Sequence, residues 1–381
     1  MKNFIKKVVY ILGIGRIVRK CRFFGYSALD AIGGALFFIL RVFGFMPSMQ
    51  KSDETQIKKI LIIRLDRIGD VILTTPAIRA LRRTFPDAQI HMLINEYTKD
   101  LLVRNSNIDK LLIYKSDNLG RDYSLALVFH PGIRPNYLAF VSRAISRVGY
   151  AGRGGGFFLT HILKDDRETR VRHEVESALE IVGIIGCKAE DRKIEVSVTE
   201  EGECFAHKFF EKHMLNGTIV VIHPGARQSY IRWKKQGFAE VADKLMKINS
   251  VKVLIIGNES ERPLVNEVGS LMKGRPVCAV GLRLTYLVSL IKRCSLFIGN
   301  STGPMHIAAA LNVPCVAIFG AMHSLDSYRV WGPIGNRHII ISSEEKCYKC
   351  HPSDCRDFRC MKRISAEEVF NAAQKLLANR N

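Results

Sequence analysis

From Lys58 onward, short apolar runs alternate with longer stretches in which apolar residues recur at helical spacing. The segment KKILIIRL, 58–65, is an Ile-rich run with little interruption, the pattern of a strand buried on both faces of a parallel sheet. Ile78, Leu81 and Phe85 follow at a helical period. Thr75-Pro76 reads as an N-cap with proline at the first helical position, so regular helix is expected to start there after one looser turn. Further strands are predicted at AQIHMLIN (88–95), DKLLIYK (109–115) and LALVFHPG (125–132), and an amphipathic helix at VRHEVESALEIVGIIG (171–186).

A second series starts near Gly217. GTIVVIHPGAR is a strand entering a Pro-Gly turn, FAEVADKLMKI a helix and VKVLIIG a strand ending on glycine. LTYLVSLIKR, CSLFIGN, GPMHIAAALN and VPCVAIFG continue as helix, strand, helix and strand. Strands alternating with helices imply an α/β protein with parallel sheets covered on both faces. Two such series in 381 residues imply two Rossmann-like domains facing a cleft. The expected divisions are an extension over 1–50, a first domain over 57–212, a second over 217–364 and a terminal helix over 365–381, with KSDETQ (51–56) as a linker. No short-period repeat is present.

Charge changes this picture. The formal net charge is +21, which calls for acidic partners such as phosphates or an anionic membrane surface. Residues 1–50 hold eight Lys/Arg and a single acid, Asp30, around the apolar run AIGGALFFIL, 31–40. Ten helical residues rise about 15 Å, half a hydrocarbon core. A single span would also leave the basic N-terminus inside and put the large domains outside. An in-plane or re-entrant membrane-associating helix fits better than a true span or an extension packed on the body. No cleavable signal is evident, which points to a reducing, cytosolic setting. There the cluster Cys347, Cys350, Cys355 and Cys360 could close a tetrahedral structural zinc site; disulfides and free packed thiols stay open as alternatives.

Ligands of open parallel sheets bind beyond the carboxyl ends of the strands, so chemistry is expected just after strands. Asp66 to Asp70, His130-Pro131-Gly132, His223-Pro224-Gly225, Gly257-Asn258 and Asn300 to Gly303 all lie there. The loop Asn300-Ser301-Thr302-Gly303 opens a helix. Its free N–H groups, the hydroxyls of Ser301 and Thr302, the closely approachable Gly303 and the nearby His306 suit a phosphate; an ordinary capped helix is the plain alternative.

The stretch RLDRIGDVILTTPAIRALRRTFP, with IHPGAR…RW…FAEVADKL and GNSTGPMHIAAALNVPCVAIFG, resembles glycosyltransferase family 9, the ADP-heptose:lipopolysaccharide heptosyltransferases and their relatives. The resemblance runs from about Lys58 to the C-terminus and leaves residues 1–50 outside. It implies a GT-B fold, with acceptor on the first domain and nucleotide sugar on the second, and an inverting transfer that needs no metal or other cofactor for catalysis. It also implies Asp70 as general base, Arg232 with Arg227 facing the leaving diphosphate, and Ser301, Thr302, Gly303, His306 and Gly257 on the donor side. Arg67, His130 and Arg134 are candidates to meet an anionic acceptor. The chain departs from the family at Ile231, where relatives often carry Lys, and at Ser301, where they often carry Asp.

The reading that follows is a membrane-associated glycosyltransferase on the cytoplasmic face of the bacterial inner membrane. It would move a sugar, heptose foremost, from a nucleotide donor to a phosphorylated, lipid-linked core acceptor. A sugar-nucleotide epimerase of the same fold and a non-catalytic glycolipid-binding protein are the alternatives. No recognised nucleic-acid module is present.

Overall fold

The computed structural model describes residues 25–36, 38–39, 57–166, 170–248, 250–320, 326–343 and 357–379. Helix α1 covers 25–36; the rest of the extension, apart from 38–39, and the cysteines Cys347, Cys350 and Cys355 lie outside the described residues. The first sheet is built from β1 (Lys59–Ile63), β2 (Gln89–Ile94), β3 (Lys110–Ile113), β4 (Leu125–Val128), β5 (Ser146–Ala151) and β6 (His161–Lys164) in the order β3-β2-β1-β4-β5-β6. The second is built from β7 (Thr218–His223), β8 (Val251–Gly257), β9 (Val277–Val280), β10 (Leu296–Asn300), β11 (Cys315–Phe319) and β12 (His338–Ser342) in the order β12-β11-β10-β7-β8-β9. Every pairing is parallel. Counted within its own half, each sheet has the same strand order, with the first strand and the fourth side by side. The order reverses between those two strands, and the loops leaving them open a crevice.

The Ile-rich β1 is fully buried from Ile60 to Ile63 and sits mid-sheet, with Ile62 beside Met92 on one side and Leu127 on the other. The longer helices are α2 (Ile68–Thr84), α3 (Ile133–Val141), α4 (Glu174–Gly183), α5 (Glu200–Lys212), α6 (Lys235–Met246), α7 (Arg262–Leu271), α8 (Leu284–Lys292), α9 (Gly303–Ala310) and α10 (Ala366–Ala378), with short helical turns at Tyr328–Trp331 and Arg359–Arg363. Helix α5, on the first-domain side of the expected boundary, packs on α8, where Phe205 stacks on Tyr286 at 4.2 Å. The Thr199 and Thr285 hydroxyls lie 2.7 Å apart at the same contact. Helix α10 closes the second half against α6, capped by Ser365 and Glu368. Among the described residues no helix is long and apolar enough to cross a membrane.

The expected helix start at Thr75-Pro76 is corrected: α2 runs unbroken from Ile68 and holds Pro76 in its interior. Proline lacks the N–H that would bond the carbonyl four residues back, here that of Ile72. The Thr75 hydroxyl supplies the missing donor, reaching the Ile72 carbonyl at 2.7 Å, and it also accepts from the Glu195 N–H at 3.0 Å. The helix can therefore reach back to the crevice, where its first turn carries Asp70.

Thr75→Val keeps the shape and removes both bonds. It should cost on the order of 1–3 kcal/mol for each buried group left unpaired. Urea unfolding reads this as a lowered midpoint, and an unchanged midpoint would mean that the helix crosses Pro76 without the hydroxyl.

Candidate active site

A charged residue ends the apolar β1 strand. Arg64 is buried, and its guanidinium is held by side chains from separate parts of the first domain. It reaches Glu174 at 2.8 Å, Asp70 Oδ1 at 3.1 Å and Asp66 Oδ2 at 3.2 Å, and it donates to the Phe129 carbonyl at 2.5 Å. Burial alone would lower its pKa, but the carboxylates of Asp66, Glu174 and Asp70 outweigh that and push it upward. The charge therefore persists and fixes one oxygen of Asp70. The other oxygen accepts from the Arg67 backbone N–H at 3.3 Å, which closes the N-terminus of α2.

The rest of the acceptor side surrounds this cluster. His130, after β4, places Nδ1 3.0 Å from Asp66 Oδ1. Tyr97 donates its hydroxyl to the Asp66 carbonyl at 2.6 Å. Burial, then Asp70 and Asp66, push the Tyr97 phenol up, while Arg67 and Arg227 pull it back. Tyr230, across the cleft, donates to Asp326 at 3.1 Å and is pushed up to about 12, first by burial and then by Asp326. Arg227 and Arg67 act on this phenol too. Two cations, one from each domain, thus share the cleft mouth. Arg134 is exposed in the first turn of α3.

In the second domain the buried amide of Asn300 ties the loops together. It accepts from the Trp233 N–H at 2.9 Å and donates to the Pro224 and Gly225 carbonyls at 3.0 Å each. Trp233 is itself buried, with its indole N–H on the Ile364 carbonyl at 3.0 Å. His223 lies between Thr302 Oγ1 at 3.0 Å and Glu261 Oε2 at 3.2 Å. Burial would raise the Glu261 carboxyl, but His223, the Asn258 N–H and Arg232 hold it below the ordinary range. Arg232 turns back to donate to the Ala226 carbonyl at 2.7 Å, whereas Arg227 is exposed in the cleft. Gly257 has a packing reason: a Cβ there would come 2.8 Å from Val265 Cγ2. Cys360 is partly buried beside Gly320, and among the described residues no group of three His, Cys, Asp or Glu side chains is placed to hold a metal ion.

The halves meet where α2 and α9 begin. A Cβ on Gly303 would come 2.8 Å from Ile68 Cβ, and one on Gly69 would come 2.7 Å from His306 Cδ2. Asp70 and the Ser301-Thr302-Gly303 loop are therefore brought to one place, with two positive helix ends beside it. His306 is buried in this contact. Burial, with repulsion from His173, pushes its imidazole down to about 3, and Asp70 offsets only part of that. It stands neutral against Gly69. His173, at the start of α4, also bridges the halves through Nε2 and the Gly332 carbonyl at 2.9 Å.

Arg64, Glu174, Glu261 and the binding role of Asn300 were not anticipated from sequence. A charge at the end of an apolar strand was the one local signal for Arg64. Glu174 enters from a helix 110 residues further on, which no spacing announces.

Arg64→Met leaves buried carboxylates without their cation and should cost about 3–5 kcal/mol. Arg64→Lys keeps the charge without the fork, and should recover part of the stability but little turnover. Wild-type stability and activity in both variants would remove the cluster from the site. The His306 imidazole adds a pH dependence. Between about pH 6.5 and 3 the unfolded chain binds the extra proton, so its stabilisation is complete above that window and is lost as pH falls through it. His306→Gln should flatten the acid side of a plot of unfolding midpoint against pH. A plot identical to wild type would mean that the imidazole titrates as if exposed.

A family model for glycosyltransferase family 9 (heptosyltransferase) matches residues 117–359. Lipopolysaccharide heptosyltransferase 3 of Escherichia coli is 28% identical over 337 residues, covering 81% of this chain and 96% of that protein. Lipooligosaccharide heptosyltransferase 2 of Campylobacter jejuni is 27% identical over 340 residues, covering 84% and 99%. Among solved structures, a glycosyl transferase family 9 protein from Veillonella parvula superposes with a TM-score of 0.75 at 25% identity, covering 87% of this chain and 99% of that one. The E. coli ADP-heptose lps heptosyltransferase II has the same fold, with a TM-score of 0.69 at 20% identity and coverage of 84% and 98%.

Proposed function

The chain belongs to glycosyltransferase family 9 and is a glycosyltransferase of GT-B fold, and from that premise we propose that it transfers heptose from ADP-heptose to a lipopolysaccharide core acceptor with inversion. The observation that carries this reading is the meeting of Asp70 with the start of α9 across the cleft. The donor and acceptor classes follow from the relatives, whose names are those of heptosyltransferases acting on lipopolysaccharide or lipooligosaccharide.

The transfer is a single displacement. An acceptor hydroxyl gives its proton to Asp70 as its oxygen attacks the anomeric carbon, and the bond from that carbon to the diphosphate oxygen breaks on the opposite face. Arg64 fixes Asp70 Oδ1 and leaves the carboxylate aimed from the first turn of α2. The departing diphosphate keeps the electron pair and lies against the Ser301-Thr302-Gly303 turn at the positive end of α9, within reach of the Ser301 and Thr302 hydroxyls. Arg227 is the cation best placed to meet it, because Arg232 is engaged with its own loop. Neutral His306 holds the two helix starts together without adding charge. Glu261 and His223 set the other wall of the donor site. Arg67 and His130 face the acceptor, with Arg134 further out.

Asp70→Asn should lower turnover by roughly a hundredfold or more, the scale of general-base catalysis, with ADP binding retained in calorimetry. Arg227→Ala should lower kcat by about 10²-fold, and Arg232→Ala should act through ADP affinity and loop stability instead. Turnover is read as ADP release from a panel of nucleotide sugars with extracted core acceptors. Near-normal turnover by Asp70→Asn, or ADP release without any acceptor dependence, would overturn the assignment.

A further inference from the structure

Helix α1 has two unlike sides. Tyr26, Asp30 and Gly33 follow at helical spacing and face the glycine-rich turn after β5. The Gly156 N–H donates to Asp30 Oδ1 at 2.9 Å. A Cβ on Gly33 would strike the ring of Phe157, and one on Gly154 would lie 3.2 Å from Tyr26 Cδ1 and 2.8 Å from Ile133 Cγ1. The fit leaves no room for larger residues at Gly33 and Gly154. Gly154 and Gly155 also have φ of +80° and +82°, which favours glycine. The helix is thus seated on the acceptor domain, against the start of α3.

Its other side is apolar and exposed. Leu29, Ile32 and Leu36 are exposed, Ile32 at 69%, and Phe38 beyond them at 68%. The only acid of α1, Asp30, is turned inward, so its outer side carries no charged side chain. The exposure continues onto α3 through Ile133 and Tyr137, whose ring lies 5.5 Å from that of Phe158. The charge available to this face is basic. Arg134 and Lys164 are exposed on the same domain, as is Arg153, which pairs with Asp165 at 3.2 Å, and in the sequence the 24 residues preceding α1 hold seven Lys/Arg and no acid.

We propose that the outer side of α1 and the start of α3 form one lipid-facing surface that rests on an anionic bilayer and holds the acceptor domain against it. The described helical residues, 25–36 and 38–39, rise about 21 Å, and among the described residues no helix is long and apolar enough to cross, so we place the helix in the plane with its apolar side among the acyl chains and headgroups. The basic residues meet lipid phosphates. A second copy of this chain is disfavoured as the occupant, because it would bring the same basic surround to the contact. The inference rests on the proposed lipid-linked acceptor for its purpose, yet it is read without turnover, so the two fail separately.

The test is sedimentation of the full-length protein with vesicles of phosphatidylcholine containing phosphatidylglycerol, and with phosphatidylcholine alone. The wild type should bind the anionic vesicles more tightly, with high salt weakening but not abolishing binding. The double variant Ile32→Glu, Leu36→Glu changes only exposed positions and should weaken binding by roughly tenfold or more. Unfolding midpoint and ADP binding should stay at wild-type values. An Ile32→Trp variant gives a second readout: its emission should shift to the blue on anionic vesicles and be quenched by brominated lipid. Wild-type vesicle binding by the double variant, or an Ile32→Trp emission unchanged by vesicles, would overturn the proposal. So would a dimer in solution that the double variant dissociates, which would assign the face to a second copy.

Discussion

A guanidinium buried at the end of a central strand cannot stay charged without counter-charge, and meeting that demand organises the acceptor side of the crevice. Arg64 leaves β1 at the point where strand order reverses, and draws in Asp66 and Asp70 from the turn that follows, Glu174 from α4 and a carbonyl after β4. The partners come from three separate segments of the chain, so the cluster fixes the relative placement of elements as well as of side chains. Breaking such a cluster is far costlier than never having built it, because the remaining charges are left in low dielectric. The proposed base is therefore preorganised by the same contact that holds the domain's first strand to its helices.

The second domain solves a different problem, how to keep a polar loop dense without charge. Asn300 uses its carbonyl and both amide hydrogens on three backbone groups, and the fully buried Trp233 holds the neighbouring loop from the other side. Across the crevice, Gly69 and Gly303 are spaced so closely to His306 and Ile68 that any side chain would force the halves apart. Two helix starts converge there. Their combined field favours an anion, and the exposed guanidinium groups of Arg67 and Arg227 stand at the mouth.

Much of this was legible in the sequence, for physical reasons that differ by element. Strands buried on both faces announce themselves as apolar runs, which is why β1, β2, β7, β8, β10 and β11 were expected close to where they lie. The edge strands β6 and β12 are less buried, and their apolar runs, two residues in HILK and three in HIIIS, are too short to announce a strand. Proline signalled a helix start at Pro76, but a threonine hydroxyl supplied the donor it lacks and the helix continued. Strand ends pointed to Asp70, His130, His223 and the 300–303 loop because topology puts ligands there. The partners of those residues, Glu174 and Glu261 above all, depend on contacts between distant segments. No local spacing encodes such contacts. For the same reason the seat of α1 on Gly154 to Phe157 was invisible until both segments were placed together.

The most direct measurement is a crystal structure of the full-length enzyme with ADP and a soluble core-oligosaccharide acceptor. The diphosphate should lie against the Ser301-Thr302-Gly303 turn at the start of α9, with Arg227 turned toward it. The reactive acceptor hydroxyl should lie within hydrogen-bond distance of Asp70, whose other oxygen remains on Arg64. A diphosphate bound away from Gly303, or an acceptor hydroxyl that meets a different side chain while Asp70 stays enclosed in its ion cluster, would contradict the proposed site.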